Sequence, residues 1–116
     1  MKSSPRLSSA TANIFAMADA GNAVLIVPAI VVAEVFYLSV KTGQPLPSSD
    51  LMEVIATSNS LTLSDLGRTQ LELLDRLPEI PEMHDRLIAA EALALGVPVV
   101  TRDPVIAASA QVQAIW

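Results

Sequence analysis

Residues Met83–Asp103 read MHDRLIAAEALALGVPVVTRD, and this stretch decides the fold class. His84 to Leu95 has the composition of a helix, apolar on most sides except at Glu91. Gly96 is placed to end it. Val97–Thr101 (VPVVT) then reads as a buried strand. Asp103-Pro104 is an N-cap followed by a proline at the first helical position, which starts a short helix. A helix that feeds an apolar strand, which feeds another helix, is the unit of a parallel sheet.

The same alternation extends in both directions. Upstream, Ser8 to Ala20 suggests a helix capped by Ser8 or Ser9, with Ile14, Met17 and Ala18 on its apolar side and Gly21-Asn22 closing it. Ala23–Val27 reads as a short strand, and Pro28 opens a second helix that runs to about Lys41, with Gly43 as its stop. Ser49 or Asp50 is expected to cap a helix through Thr57, and Ser60–Leu63 alternates like a strand. Ser64 or Asp65 is expected to cap a helix through Leu77, before Pro78 and Pro81 break the chain. Val112–Trp116 reads as a last strand. The sum is a single α/β domain over residues 1–116 with a mainly parallel sheet.

Composition narrows the chemistry. Of the 116 residues, 52 % are hydrophobic and only 3 % aromatic, so the core must be aliphatic. With no cysteine, neither disulfides nor thiolate metal sites are possible. The single histidine, His84, excludes multi-histidine zinc sites. Any metal would be held by oxygen, which points to Mg²⁺ or Mn²⁺. A net charge of -5 is not the field of a protein that holds nucleic acid by bulk attraction. A nucleic-acid enzyme could carry it if a metal or a basic partner offset the acidic site; otherwise the acidic balance simply aids solubility.

Ala23–Val40 (AVLIVPAIVVAEVFYLSV) is long enough to raise the question of a membrane span. Pro28 and Glu34 inside it, and the lack of a basic cluster at its flanks, argue instead for a strand followed by a helix. The N-terminal MKSSPRLSSA carries no apolar run like that of a signal peptide, so a cytoplasmic location is expected.

Three carboxylates stand out by their neighbours. Glu34 shares its helical stripe with Ile30, Val31, Tyr37 and Leu38. An ionised Glu on such a face costs several kcal/mol unless it is paired, metal-bound or reaches a cleft; the alternative is that it reaches solvent or pairs with an Arg. Asp85 opens a helix, where an acid also offsets the helix dipole. Asp103 lies just past a strand end, where an acid also serves as an N-cap. Ligands of open parallel sheets bind beyond the carboxyl ends of the strands. Acids gathered there bind a hard divalent cation.

The Met83–Asp103 segment resembles the late-chain signature of PIN domains: an acid opening a helix, an Ala-rich run, a Gly-linked apolar strand, then Thr-x-Asp. Val27–Leu38 (VPAIVVAEVFYL) resembles the family's other signature, whose Glu is a metal ligand, and VQAIW resembles its last strand. The resemblance, which runs through nearly the whole chain, implies a PIN-like three-layer α/β/α fold. It implies the activity of a VapC-type toxin of a type II toxin–antitoxin system, a Mg²⁺- or Mn²⁺-dependent ribonuclease. Glu34, Asp85 and Asp103 would be metal-binding and catalytic. Thr101 would set a hydroxyl beside the site, or simply serve as a buried strand residue. Arg86 and Arg102 could touch RNA phosphate or an antitoxin acid, or be plain surface residues. The partners implied are an RNA substrate, a VapB-like antitoxin and a second copy in a homodimer.

The departure from the pattern is at the front. The family begins with a central strand that ends in an Asp, whereas this sequence opens with MKSSPRLSS, which resembles the stretch just after that unit. The chain is thus expected to be an N-terminally incomplete PIN-like domain, with neighbouring strands left unpaired. Asp19 cannot supply the lost acid, because no apolar strand precedes it. A catalytically inactive domain that binds only an antitoxin or other partner is the competing reading. A receiver-like phosphoacceptor domain is disfavoured, since no Lys lies near the last strand and no acid pair opens the chain.

Overall fold

A computed structural model describes residues 8–116. The expected lack of an apolar leader falls mainly on residues 1–7, outside the described residues. The chain is mixed α/β, with short strands that pair only in parallel among the described residues. The order is α1 (Ser9–Asp19), β1 (Leu25–Pro28), α2 (Ala29–Lys41), α3 (Ser48–Thr57), β2 (Leu61–Ser64), α4 (Arg68–Glu72), a 3₁₀ turn (Leu74–Arg76), α5 (Met83–Leu95), β3 (Val99–Val100), α6 (Pro104–Ala107) and β4 (Ala114–Ile115).

The strands form two separate pairs. β1 lies beside β2, with Leu25 opposite Leu61 and Pro28 opposite Ser64. β3 lies beside β4, with Val99 opposite Ala114 and Val100 opposite Ile115. No strand among the described residues joins the pairs. β3 is shorter than the apolar run VPVVT suggests. Pro98 has no N–H to donate, and beyond Val100 only the Thr101 N–H continues the ladder, to Ile115 O at 2.9 Å.

The helix boundaries follow local chemistry. The Ser8 hydroxyl accepts from the Thr11 N–H at 3.1 Å and caps α1. Gly96, at φ 67°, ends α5 in the left-handed conformation that glycine adopts most readily. Asp103 caps α6 ahead of Pro104.

Two expectations need correction. α3 begins after Pro47, and neither Ser49 nor Asp50 caps it. The helix expected from Ser64 or Asp65 to Leu77 is instead the short α4 followed by the 3₁₀ turn. Gly67 is its N-cap, and Gln70 Oε1 accepts the Gly67 N–H at 2.9 Å. The Ser64 hydroxyl is drawn away to a buried carboxylate on α5 and is not free to cap.

The core gathers Leu77, Ile80, Ala89, Ala90, Ala92, Val99 and Ile106. Alanines on α5 let the 3₁₀ turn and β3 approach closely. Leu77 and Ile80 are fully enclosed, and burial of each is worth about 1.5–3 kcal/mol. Arg86 fastens the loop that carries them. Its Nε donates to Ile80 O at 2.6 Å, and its two terminal nitrogens reach Leu74 O and Pro78 O at 3.5 Å. No helix among the described residues is long and apolar enough to cross a membrane.

Candidate metal centre

Each of the three singled-out acids is set by a strand end or a helix start. β1 runs directly into α2, which carries Glu34 in its second turn. β3 runs through Thr101 and Arg102 to Asp103. Asp85 sits in the first turn of α5, beside both.

Asp85 is where these positions meet. Its carboxyl is held above the usual aspartate range, first by loss of solvent. The negative charges of Asp103, Glu82 and Glu34, together with a hydrogen bond to Asp103, push it the same way. Asp85 and Asp103 are thus brought together. A cation beside Asp85 would offset the negative charges that surround it. Glu34 faces Asp85 and His84 from α2, within the range at which its charge is felt at both. It is half-buried, since α2 packs on α5.

Asp103 keeps one oxygen occupied. Its Oδ1 accepts the Val105 N–H at 2.8 Å as the cap of α6. The Thr101 hydroxyl accepts the Asp103 N–H at 3.1 Å and fixes the turn that presents the carboxylate. Thr101 therefore lies beside Asp103. Asp103 serves as cap and site neighbour at once.

Donor chemistry fits a hard divalent cation: every candidate ligand is a carboxylate oxygen. Among the described residues, however, no group of three or more His, Asp or Glu side chains is drawn close enough to enclose one ion. The fit thus rests on the Asp85–Asp103 pair, with Glu34 facing it.

The two arginines behave differently from one another. Arg86, a candidate contact for RNA phosphate or an antitoxin acid, points its guanidinium into the 74–80 loop and spends its donors on main-chain carbonyls. Arg102 is exposed, and its guanidinium lies 5.7 Å from the ring centre of Trp116. It is the one of the two that faces outward.

Two features escape a reading by motif. Glu82 is the N-cap of α5, accepting the His84 and Asp85 N–H groups at 3.1 and 2.9 Å, and it also meets His84 Nδ1 at 2.7 Å. Those contacts, the His84 N–H foremost, lower its carboxyl to about 2. The His84 ring is raised above the usual value, chiefly by that contact with Glu82. Glu91 is buried at 4 % exposure and accepts from Ser64 Oγ at 2.6 Å and Gln70 Nε2 at 3.2 Å. Its six-residue offset from Asp85 takes it off the face that opens the helix. The visible signal was its isolation in the run LIAAEALAL.

Beside the acids lies a cleft of about 800 Å³, open to solvent and lined mainly by aliphatic side chains. β1 forms one wall and β3 another, with Ile14 and Phe15 of α1 and Ile88 of α5 between them. Asp85, Glu91 and Thr101 supply polar atoms to its lining.

Comparison with protein-family models, with curated proteins and with solved structures finds no match for this chain.

Proposed function

We propose that this chain is a PIN-like, VapC-type endoribonuclease toxin that hydrolyses RNA phosphodiester bonds with a carboxylate-bound Mg²⁺ or Mn²⁺. The observation that carries the reading is the meeting of Asp85 with Asp103, faced by Glu34, where β1 and β3 give way to the segments that follow them. That is the edge at which open parallel sheets bind ligands.

Glu34, Asp85 and Asp103 would hold the ion. Once bound, it would lower the pKa of a water and offset charge building on the phosphate. The chain's own groups prepare the place. Partial burial weakens the solvation of Asp85, so a cation is a better partner for it than water. The α6 cap and the Thr101 hydroxyl fix where the Asp103 carboxylate lies. Arg102, exposed near the site's strand, is the candidate for contact with RNA phosphate.

The strand pattern also supports the reading. A PIN-like three-layer α/β/α domain has a mainly parallel sheet, and every strand pairing among the described residues is parallel. Here β1 and β3 border a common cleft and belong to different pairs. A cytoplasmic location, a VapB-like antitoxin and a homodimer complete the proposal.

A second reading has its own support. The three acids are not drawn into one coordination cage among the described residues. A catalytically inactive PIN-like domain that binds only an antitoxin or other partner would need none. One experiment separates the two: RNA cleavage in Mg²⁺ or Mn²⁺ by the unmodified protein and by Asp103→Asn. Cleavage lost in the variant supports the nuclease; equal cleavage in both refutes this site. No cleavage and no Mn²⁺ binding by the unmodified protein supports the binding module.

A further inference from the structure

Arg102 is next in the chain to Asp103, and the charges that act on nearby Asp85 are all negative. An exposed guanidinium there would be expected to pair with a carboxylate. It does not: among the described residues Arg102 forms no ion pair and no side-chain hydrogen bond. Its guanidinium lies instead over the indole of Trp116, 5.7 Å from the ring centre. Backbone pairing brings the two together, since the Thr101 N–H donates to Ile115 O at 2.9 Å and sets the end of β4 beside residues 101–103.

Both partners keep their polar edges open. The guanidinium has donors left in its plane, none of them spent on the protein. Trp116 is half-buried. No buried side-chain nitrogen or oxygen among the described residues lacks a partner. The indole N–H makes no hydrogen bond, so it reaches the surface. Arg102 does not line the cleft between β1 and β3, and the contact does not depend on what fills that space.

A planar cation and an indole are the two kinds of surface on which unpaired bases stack. A flat ring placed between them needs about 3.5 Å on each side, or about 7 Å in all. The present separation is 5.7 Å, so Arg102 has to move outward by only about 1 Å. No other side-chain contact among the described residues holds it back. Stacking also suits the charge of this protein. At a net charge of -5, bulk attraction does not hold RNA, whereas stacking on a base needs no net field.

We propose that Arg102 and Trp116 form a binding site for one unpaired RNA base, taken between guanidinium and indole at the strand end that presents Asp103. The in-plane donors of Arg102 stay free for the phosphate of that nucleotide. The site takes its ligand, RNA, from the nuclease reading above. It adds a residue, Trp116, that reads the base and touches none of the acids' chemistry. A base locked in a duplex is already stacked on its neighbours and is refused.

Trp116 is the single tryptophan, so its emission reports directly on stacking. The probe is a short single-stranded RNA of mixed sequence, titrated in EDTA so that no metal-dependent cleavage occurs. Saturable quenching is expected with the single strand, and much weaker quenching with the same RNA annealed to its complement. By anisotropy of labelled RNA, Trp116→Leu should weaken binding at least about fivefold, the lower end of what one stacked base contributes, and Trp116→Phe should weaken it less. Arg102→Lys keeps the charge without the plane, so it should also weaken binding while leaving the salt dependence unchanged. Urea unfolding of the Trp116 variants checks that they fold, and quenching in the unmodified protein needs no variant. Saturation by RNA without quenching overturns the proposal, as does full binding by folded Trp116→Leu or by Arg102→Lys. Those results together with cleavage that is lost in Asp103→Asn leave the nuclease reading standing alone. Quenching by single-stranded RNA without cleavage in Mg²⁺ or Mn²⁺ does the reverse. Absence of any RNA binding overturns both.

Discussion

Ser64 at the end of β2 donates its hydroxyl to the Glu91 carboxylate in the middle of α5 at 2.6 Å, across 27 residues of sequence. Gln70 Nε2 donates to the same oxygen at 3.2 Å, while its own Oε1 holds the Gly67 N–H. One buried carboxylate thus joins β2, the start of α4 and α5. The contact explains why Ser64 does not cap the helix that follows it.

Removing a donor from this group is predicted to destabilise the fold. Ser64→Ala leaves the carboxylate with Gln70 alone, a loss of about 1–3 kcal/mol by the usual penalty for a buried group deprived of a partner. Gln70→Ala should cost a similar amount and also loosen the start of α4. The double variant should cost less than the sum of the two if the carboxylate then finds water, and urea unfolding of all four proteins measures this coupling.

Asp103 has a structural task and a proposed metal task, and two substitutions separate them. Asn caps helices about as well as Asp, so Asp103→Asn should keep the fold within a few tenths of a kcal/mol. Asp103→Ala should lose about 1 kcal/mol with the cap. If the acids hold Mn²⁺ as proposed, the ion should raise the melting temperature of the unmodified protein, since a ligand that binds only the folded state stabilises it by mass action, and both variants should lose that rise. A Mn²⁺ shift retained in Asp103→Asn would remove this residue from the site.

Arg86 and Arg102 look alike in the sequence and should respond very differently. Arg86 supplies charged donors to three carbonyls of the loop that carries Leu77 and Ile80. Arg86→Met is predicted to lower stability by roughly 2–3 kcal/mol, since hydrogen bonds to charged groups exceed neutral ones. Arg102 rests over Trp116, a contact worth about 0.5–1 kcal/mol at an exposed position. Arg102→Ala should therefore leave the melting temperature nearly unchanged, and under the nuclease reading should weaken RNA binding in a salt-dependent way. Calorimetric melting of both variants tests the contrast.

Much of the framework was legible because it rests on local signals. Gly96, the Asp103-Pro104 pair and Ser8 mark helix ends by their own backbone chemistry, and the structure puts boundaries at each. Non-local contacts were not legible. Ser64 has the local chemistry of a cap, yet a carboxylate far along the chain captures its hydroxyl. Arg86 has the composition of a surface residue, but a loop folds back over it. Spacing could bring the three acids to the same end of the domain; it could not say that Asp103 would act on Asp85 more strongly than Glu34 does. That difference depends on how α2 packs on α5, which no single segment encodes.

The start of α5 should give the protein a measurable acid dependence. Glu82 accepts the His84 and Asp85 N–H groups and touches the His84 ring, and its carboxyl falls from 4.5 to about 2 on folding. A carboxyl lowered by folding adds stability that is complete above the unfolded value and is lost as pH falls through the folded one. The window is therefore pH 4.5 down to about 2. His84 acts in the opposite sense. Its folded value is raised from 6.5, so its contribution is complete below that value and fades as pH rises through the higher folded one. Glu82→Gln keeps an oxygen for the N–H groups but removes the charge. Urea midpoints of this variant should lie below those of the unmodified protein at pH 6 and converge with them near pH 2. The loss of stability above pH 6.5 that His84 brings should also shrink in Glu82→Gln, because the carboxylate is the main cause of the raised ring. Parallel midpoint curves from pH 6 to pH 2 would show that the Glu82 charge does not hold the start of α5.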